Sequence, residues 1–317
     1  MDYGHDLTFG TFTTPQSRDP QVPVALARVA EDVGLDLVTF QDHPYQPAFL
    51  DTWTLLTWVA ASTERVTLAA NVHCLPLRPP AVLARSAASL DLLSGGRFAL
   101  GLGAGAFWDA IVAMGGERLS PGDAVEGIDE AIAVVRGIWD TSTRERLVVE
   151  GRLHRLDGAK RGPAPAHDVP IWVGAQGPRM LRLIGRQADG WSVTLGRLDD
   201  GGLARGNALI DEAATAAGRS PSDVRRLVNV SGTFAADSQG FLHGPAEQWV
   251  DELSRLTLEE GVGSFVLASD DERDVRVFGQ EVAPGVREVV AAARSWLAGG
   301  GTTSRAAGSA EGGRIGS

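Results

Sequence analysis

Cysteine and lysine are almost absent from this 317-residue chain, each occurring once, at Cys74 and Lys160. A single cysteine excludes an intrachain disulfide framework and a cysteine zinc cluster, and it makes a reducing cytoplasm the expected compartment. Positive charge is short as well: 29 Lys and Arg stand against 40 Asp and Glu, a formal net charge of −11, and the arginines are scattered. Nucleic acid and anionic membrane surfaces are therefore not the expected partners. No apolar run reaches the ~20 residues that cross a bilayer, and the N-terminus carries neither a basic region nor an apolar segment of the secretory kind. A small-molecule substrate is the expected partner, with a homodimer as the one self-association considered. Large apolar residues run out near Ala298, so AGGGTTSRAAGSAEGGRIGS reads as a flexible tail, 298–317, on a domain spanning 1–297.

What the chain does have is a repeated strand-then-helix cadence. Apolar runs and helical spacing predict strand Leu7–Phe12, helix Val22–Val33, strand Asp36–Phe40, helix Asp51–Ser62 behind an Asp N-cap, strand Val66–Val72, helix Pro80–Leu93 and strand Phe98–Leu102. Between 107 and 168 the rhythm breaks for an insertion with a helix at Asp123–Trp139 and a hairpin at Leu147–Leu156. It resumes with strands Ile171–Gly174, Gly190–Thr194, Leu227–Thr233 and Ser264–Leu267, alternating with helices Pro178–Arg186, Leu203–Ala217, Pro245–Glu260 and Val282–Leu297. Eight strands alternating with helices, with no linker between two halves, predict an α/β fold: a (β/α)8 TIM barrel with an insertion after its fourth strand. An open doubly wound sheet is the competing arrangement. In such barrels the chemistry sits on the loops that follow the strands.

Four such places hold residues suited to chemistry. Asp42-His43 follows the second strand, where a carboxylate beside an imidazole can orient a general acid or base that titrates near neutrality; Asp42 capping a turn fixed by Pro44 is the plain alternative. Asn71-Val72-His73-Cys74 ends the third strand. His73 could join His43 as a metal ligand, but the remaining ligand spacing of a barrel hydrolase is missing, so no metal is expected and His73 reads as a packed core histidine. Gly101-Leu102-Gly103-Ala104-Gly105-Ala106 fits G-x-G-x-x-A, yet it follows the fourth strand and no continuous helix is expected after it. Its small residues either let a cofactor close to the backbone or relieve crowding between strands. Gly174-Ala175-Gln176-Gly177-Pro178-Arg179 joins a strand to a helix, where free N–H groups and a guanidinium would suit a phosphate; an ordinary turn with Pro at N1 is the alternative.

Taken in order, QDHPYQPAFLDTWTLLTWVAAST, ERVTLAANVHCLPLRPPAVLARSAASLDLLSGGRFALGLGAG and VPIWVGAQGPRMLRLIGRQADGW resemble the bacterial luciferase-like oxidoreductase superfamily, the likeness extending loosely over Phe9–Leu297. That resemblance implies reduced FMN or the deazaflavin coenzyme F-420 (F420), without choosing between them. It implies a cofactor ring over a third-strand bulge at Asn71-Val72, often with a non-prolyl cis peptide. It also implies further contacts at Gly103, Ala104 and Gly105, a phosphate turn at Gly174, Ala175, Gln176, Gly177 and Arg179, and His43 with Asp42 as the catalytic pair. In the family's sugar-phosphate dehydrogenases a glutamate follows the GxG turn; Ala106 holds that place here, which counts against a sugar phosphate. The expected function is hydride transfer between the cofactor and a small organic substrate. An FMNH2- and oxygen-dependent monooxygenase and a noncatalytic flavin-binding protein are the alternatives.

Overall fold

The computed structural model describes residues 1–298. Thr8–Thr13 (β1), Val22–Asp32 (α1), Leu37–Phe40 (β2), Thr52–Ala60 (α2), Thr67–Ala70 (β3), His73–Cys74 (β4), Pro80–Ser94 (α3) and Leu100–Gly103 (β5) form the first half. An excursion follows through Trp108–Ala113 (α4), Pro121–Trp139 (α5) and the antiparallel hairpin Leu147–Glu150 (β6) with Arg155–Ala159 (β7). The second half runs Ile171–Gly174 (β8), Pro178–Gln187 (α6), Gly190–Thr194 (β9), Gly202–Ala216 (α7), Arg225–Val230 (β10), Thr233–Phe234 (β11), His243–Gly244 (β12), Ala246–Glu260 (α8), Ser264–Ala268 (β13), Glu272–Val277 (α9) and Ala283–Ala298 (α10).

The main sheet is parallel, in the order β3-β2-β1-β13-β10-β9-β8-β5-β4. Its two ends are pieces of one stave: Leu68 of β3 bridges Phe98, just before β5, and His73-Cys74 pairs with Leu102-Gly103. Leu68 N–H donates to Arg97 O at 2.9 Å and Ala99 N–H to Leu68 O at 3.0 Å, so the sheet closes as a barrel of eight staves. The expected α/β (β/α)8 barrel is the architecture found. The expected strand Val66–Val72 is the stave that breaks, and its peptide Asn71-Val72 is cis.

Each stave is buried on two sides, which is why the strands read as short apolar runs rather than alternating ones. Outward-facing Phe9, Val38, Leu68, Val173 and Phe265 pack with Ala27, Leu56, Ala84, Ile184 and Val286 of the helices in the main core. The barrel interior holds a separate, smaller cluster, Leu37, Ala69, Ala99 and Val266, with Phe12 and Trp172 against it. Helix ends follow their local chemistry: Asp51 caps α2 by accepting from Thr54 N–H at 2.9 Å, Ser120 caps α5 by accepting from Asp123 N–H at 3.1 Å, and α3 stops at Gly95 with φ 72°.

Two local expectations are corrected. A short helix, α4, does follow the glycine turn, because Gly105 at φ 92° redirects the chain after β5 before Trp108 starts it. The stave expected at Leu227–Thr233 begins at Arg225; Arg226 is wholly buried there and tolerated because Asp211, Asn207 and Tyr3 meet its guanidinium. The pair β11–β12, helix α9 and a π-helical turn at Phe278–Val282 had no distinct pattern in the sequence. The tail expected from 298 onward lies outside the described residues, save Ala298 itself.

Candidate active site

A cavity of about 670 Å³ opens at the C-terminal ends of the staves. Its wall takes Phe12 from β1; Asp42, His43, Tyr45 and Phe49 from the loop after β2; Asn71 to Cys74; Gly103 to Phe107; Gly174 to Gln176; Ser192 to Arg197 in part; and Asn229. The expected residues Asp42, His43, Asn71, Val72, Gly103, Ala104, Gly105, Gly174, Ala175 and Gln176 thus share one chamber. Gly177 and Arg179 lie off its wall. Arg179 turns toward the start of α5, its Nη1 3.3 Å from where a Cβ on Gly122 would stand. At the turn after β8, Ala175 N–H donates to Ser192 O at 3.3 Å, which leaves Gln176 and Gly177 with N–H groups that have no partner among the described residues.

The floor is a hydrogen-bonded polar layer above the interior apolar cluster. Asn71 Nδ2 donates to Asn229 Oδ1 at 2.7 Å, Ser192 Oγ donates to Asn71 Oδ1 at 3.0 Å, and Asn229 Nδ2 donates to Thr194 Oγ1 at 3.3 Å. Both polar ends of the Asn71 side chain are therefore spent on holding the broken stave in place. The next side chain, Val72, wedges among glycines. A Cβ added to Gly103 would lie 2.5 Å from Val72 Cγ2, one on Gly174 3.0 Å from the same atom, and one on Gly101 3.2 Å from Val72 Cγ1. Gly103 and Gly174 thus face close approach of the Val72 side chain, while Gly101 is confined first by backbone, since a Cβ there would run into Ala70 O, whatever else they touch.

Asp42 is 2% exposed, and its carboxylate is fully engaged. Arg78 donates from Nε to Oδ2 at 2.6 Å and from Nη2 to Oδ1 at 2.7 Å, and Cys74 N–H donates to Oδ2 at 2.9 Å. Burial works against this charge, but the Arg78 hydrogen bonds, with His73 at 3.5 Å, hold the carboxyl well below the usual range. Arg78 also donates to Asp51 Oδ2 at 2.7 Å, so one guanidinium ties both ends of the loop carrying His43. Asp42 therefore anchors that loop, and it makes no hydrogen bond to His43.

His43 is half-buried, with rings of Tyr45, Phe49 and Phe107 at 5.3, 6.4 and 5.5 Å between centroids. Its Nδ1 lies 2.6 Å from Tyr45 Oη. Burial, then the positive charge of Arg197, lowers its pKa, against an upward pull from Asp42, so the imidazole is neutral near pH 7. His73 is wholly buried against Trp53, at 5.0 Å between centroids, and burial lowers its pKa too. Tyr45 and Arg197 were not singled out as site residues around His43. Tyr45 carried a weak signal by lying two residues after His43; Arg197 carried none, since only the closing of the barrel brings the end of β9 to the mouth.

A family model for luciferase-like monooxygenases matches residues 5–274. An F420-dependent glucose-6-phosphate dehydrogenase from Microbacterium testaceum is 27% identical over 311 residues, covering 90% of each chain. A 5,10-methylenetetrahydromethanopterin reductase from Methanolobus tindarius is 36% identical over 221 residues, covering 69% of this chain and 63% of that one. Among solved structures, an F420-dependent secondary alcohol dehydrogenase in complex with an F420-acetone adduct superposes with a TM-score of 0.78 at 21% identity, covering 89% of this chain and 99% of that one.

Proposed function

The chain belongs to the luciferase-like monooxygenase family, and on that premise we propose that it is an oxidoreductase that moves a hydride between a flavin-type cofactor, F420 or FMN, and a small organic substrate. The observation that carries this reading is the placing of a half-buried, aromatic-boxed imidazole, His43, in one chamber with the Asn71-Val72 break and the Gly174–Gln176 turn. The residues present suit such a cofactor. The broken stave and Gly174–Gln176 lie on one chamber wall, Gln176 and Gly177 keep free N–H groups, and a Cβ on Gly177 would meet no atom within 4 Å, which leaves that lip open. Backbone N–H groups at the start of α6 favour an anion through both hydrogen bonding and the helix dipole.

When bound, the cofactor supplies the centre that gives or accepts the hydride. The protein's part would be to hold the cofactor with Val72, Asn71 and the Gly174–Gln176 turn, to exclude water with Phe49 and Phe107, and to handle the substrate oxygen through His43. Asp42 and Arg78 fix the loop on which His43 rides. Ala106 and the three aromatic rings around His43 suit an uncharged substrate. An FMNH2- and oxygen-dependent monooxygenase is the second reading, favoured by the activity for which the matched family is described. Fluorescence titration of the purified protein with F420, FMN and reduced FMN tests both: tight binding of F420 alone supports the dehydrogenase or reductase, preference for reduced FMN supports the monooxygenase, and binding of none rejects the reading.

A further inference from the structure

Tyr45 touches His43, a half-buried imidazole on the chamber wall. His43 Nδ1 and Tyr45 Oη are 2.6 Å apart, side chain to side chain across two residues of a loop pinned at both ends by Arg78. We propose that Tyr45 is the positioning residue of the site: its hydroxyl donates to Nδ1, so that the neutral His43 carries its hydrogen on Nε2 and presents a donor to the chamber, selecting substrates with a carbonyl oxygen. The proposal rests on the reading of His43 as the group that meets the substrate oxygen.

The direction of this hydrogen bond follows from the surroundings. Burial first, and then the nearby Cys74 and Asp42, push the Tyr45 hydroxyl up to about 12, so it keeps its proton throughout the range in which an imidazole titrates. The same setting, with Arg197 across the mouth, keeps His43 neutral, which leaves one ring nitrogen as an acceptor. A phenol is a good donor and a poor acceptor, so O–H···N is the stronger of the two arrangements at this distance. No other group competes for Nδ1. Asp42, the adjacent carboxylate, is taken by Arg78 and the Cys74 N–H, and Nε2 has no partner among the described residues. Phe107 stands edge-on to the His43 ring at 84° and 6.0 Å from Tyr45, restricting both rings.

An Nε2–H can hydrogen-bond a carbonyl oxygen that is to receive a hydride at its carbon. An alcohol needs an acceptor in the same place and finds one only in the other tautomer, so the resting site is set for the reductive direction.

The test is the side-chain ¹⁵N spectrum of the full-length protein above the His43 midpoint, with the His43 signals assigned by their loss in His43→Asn. The expected result is an unprotonated Nδ1 and a protonated Nε2. Tyr45→Phe keeps the ring against Phe107 and removes only the donor; it should bring in the second tautomer and raise the His43 midpoint by up to about one pH unit, because the neutral imidazole loses its hydrogen bond. A proton on Nδ1 in the unaltered protein overturns the proposal without any variant, and so does a tautomer and midpoint that Tyr45→Phe leaves unchanged. Titration of the same samples with F420 and FMN separates the two readings: failure to bind either rejects the oxidoreductase, while the spectra still decide the role of Tyr45.

Discussion

Arg78 and Asp42 form a two-pronged ion pair, Nε to Oδ2 at 2.6 Å and Nη2 to Oδ1 at 2.7 Å, with the carboxylate shut off from solvent. The pair sits between the start of the His43 loop and the turn before α3, so its loss leaves a buried charge and frees the loop that carries His43 together. Asp42→Ala is expected to lower stability by about 3–5 kcal/mol, the usual result of removing one member of a buried pair. Urea unfolding checks this; a loss below about 1 kcal/mol would show that the pair does not hold the loop.

The same carboxylate gives a pH dependence with a definite sign. Its folded pKa is depressed, so its contribution is complete above the unfolded value, near 3.9, and is lost as pH falls below that toward the folded one. Unfolding midpoints measured from pH 6 down to pH 3 should therefore fall, and fall less steeply in Asp42→Asn.

Val72 fills the space that glycines leave beneath the chamber. Gly103→Ala puts a methyl 2.5 Å from Val72 Cγ2 and should cost about 1–3 kcal/mol through overpacking. Adding Val72→Ala removes the clashing atom, so the double variant should lose less than the sum of the two single losses. Simple additivity would mean that the two positions do not share this contact.

At the outer lip, Gly177 has φ −78° and ψ 143°, a conformation open to any residue, and its Cβ direction is empty. Gly177→Glu should therefore leave the melting temperature within a degree or two while placing a negative charge where an anion would lie. Cofactor affinity by fluorescence titration is expected to fall at least about tenfold, roughly 1.4 kcal/mol. Unchanged affinity would move the phosphate elsewhere.

Burial lowers the His43 pKa against the pull of Asp42, and Arg197 across the mouth adds to the lowering. Replacing it with Gln removes a cation that opposes protonation, so the His43 midpoint should move up. Proton NMR of the imidazole reads this directly, and a downward or absent shift would contradict the placement of Arg197.

His43→Asn keeps a polar side chain and removes the titrating group. If His43 handles the substrate proton, turnover should fall by ~10²–10⁴ with cofactor affinity nearly intact. Near-normal turnover would exclude that role, and joint loss of turnover and binding would make His43 a structural residue.

The sequence by itself determined the cadence, because strands buried on both faces must be apolar and helices over them must be amphipathic, and these patterns are written locally. It also placed Asp42-His43, the Asn71-Val72 break and the Gly174–Gln176 turn at strand ends. What it could not express was which of these atoms meet. Asp42 looked like the partner of His43 because the two are adjacent, but neighbours on an extended loop point apart. Arg78, 36 positions on, takes the carboxylate, and Tyr45 takes the imidazole. The glycines of G-x-G-x-x-A were open to cofactor approach or to crowding between strands; the closed barrel sets Gly101 against Ala70 O and Gly103 against Val72 of the neighbouring stave. Arg226, just ahead of the strand expected at Leu227–Thr233, is buried inside a stave because Tyr3 and Asp211, at distant points of the chain, hydrogen-bond its guanidinium. Burial pattern is a property of a segment and survives in the sequence; charge pairing and close packing are properties of segments brought together, and only the closing of the barrel decides them.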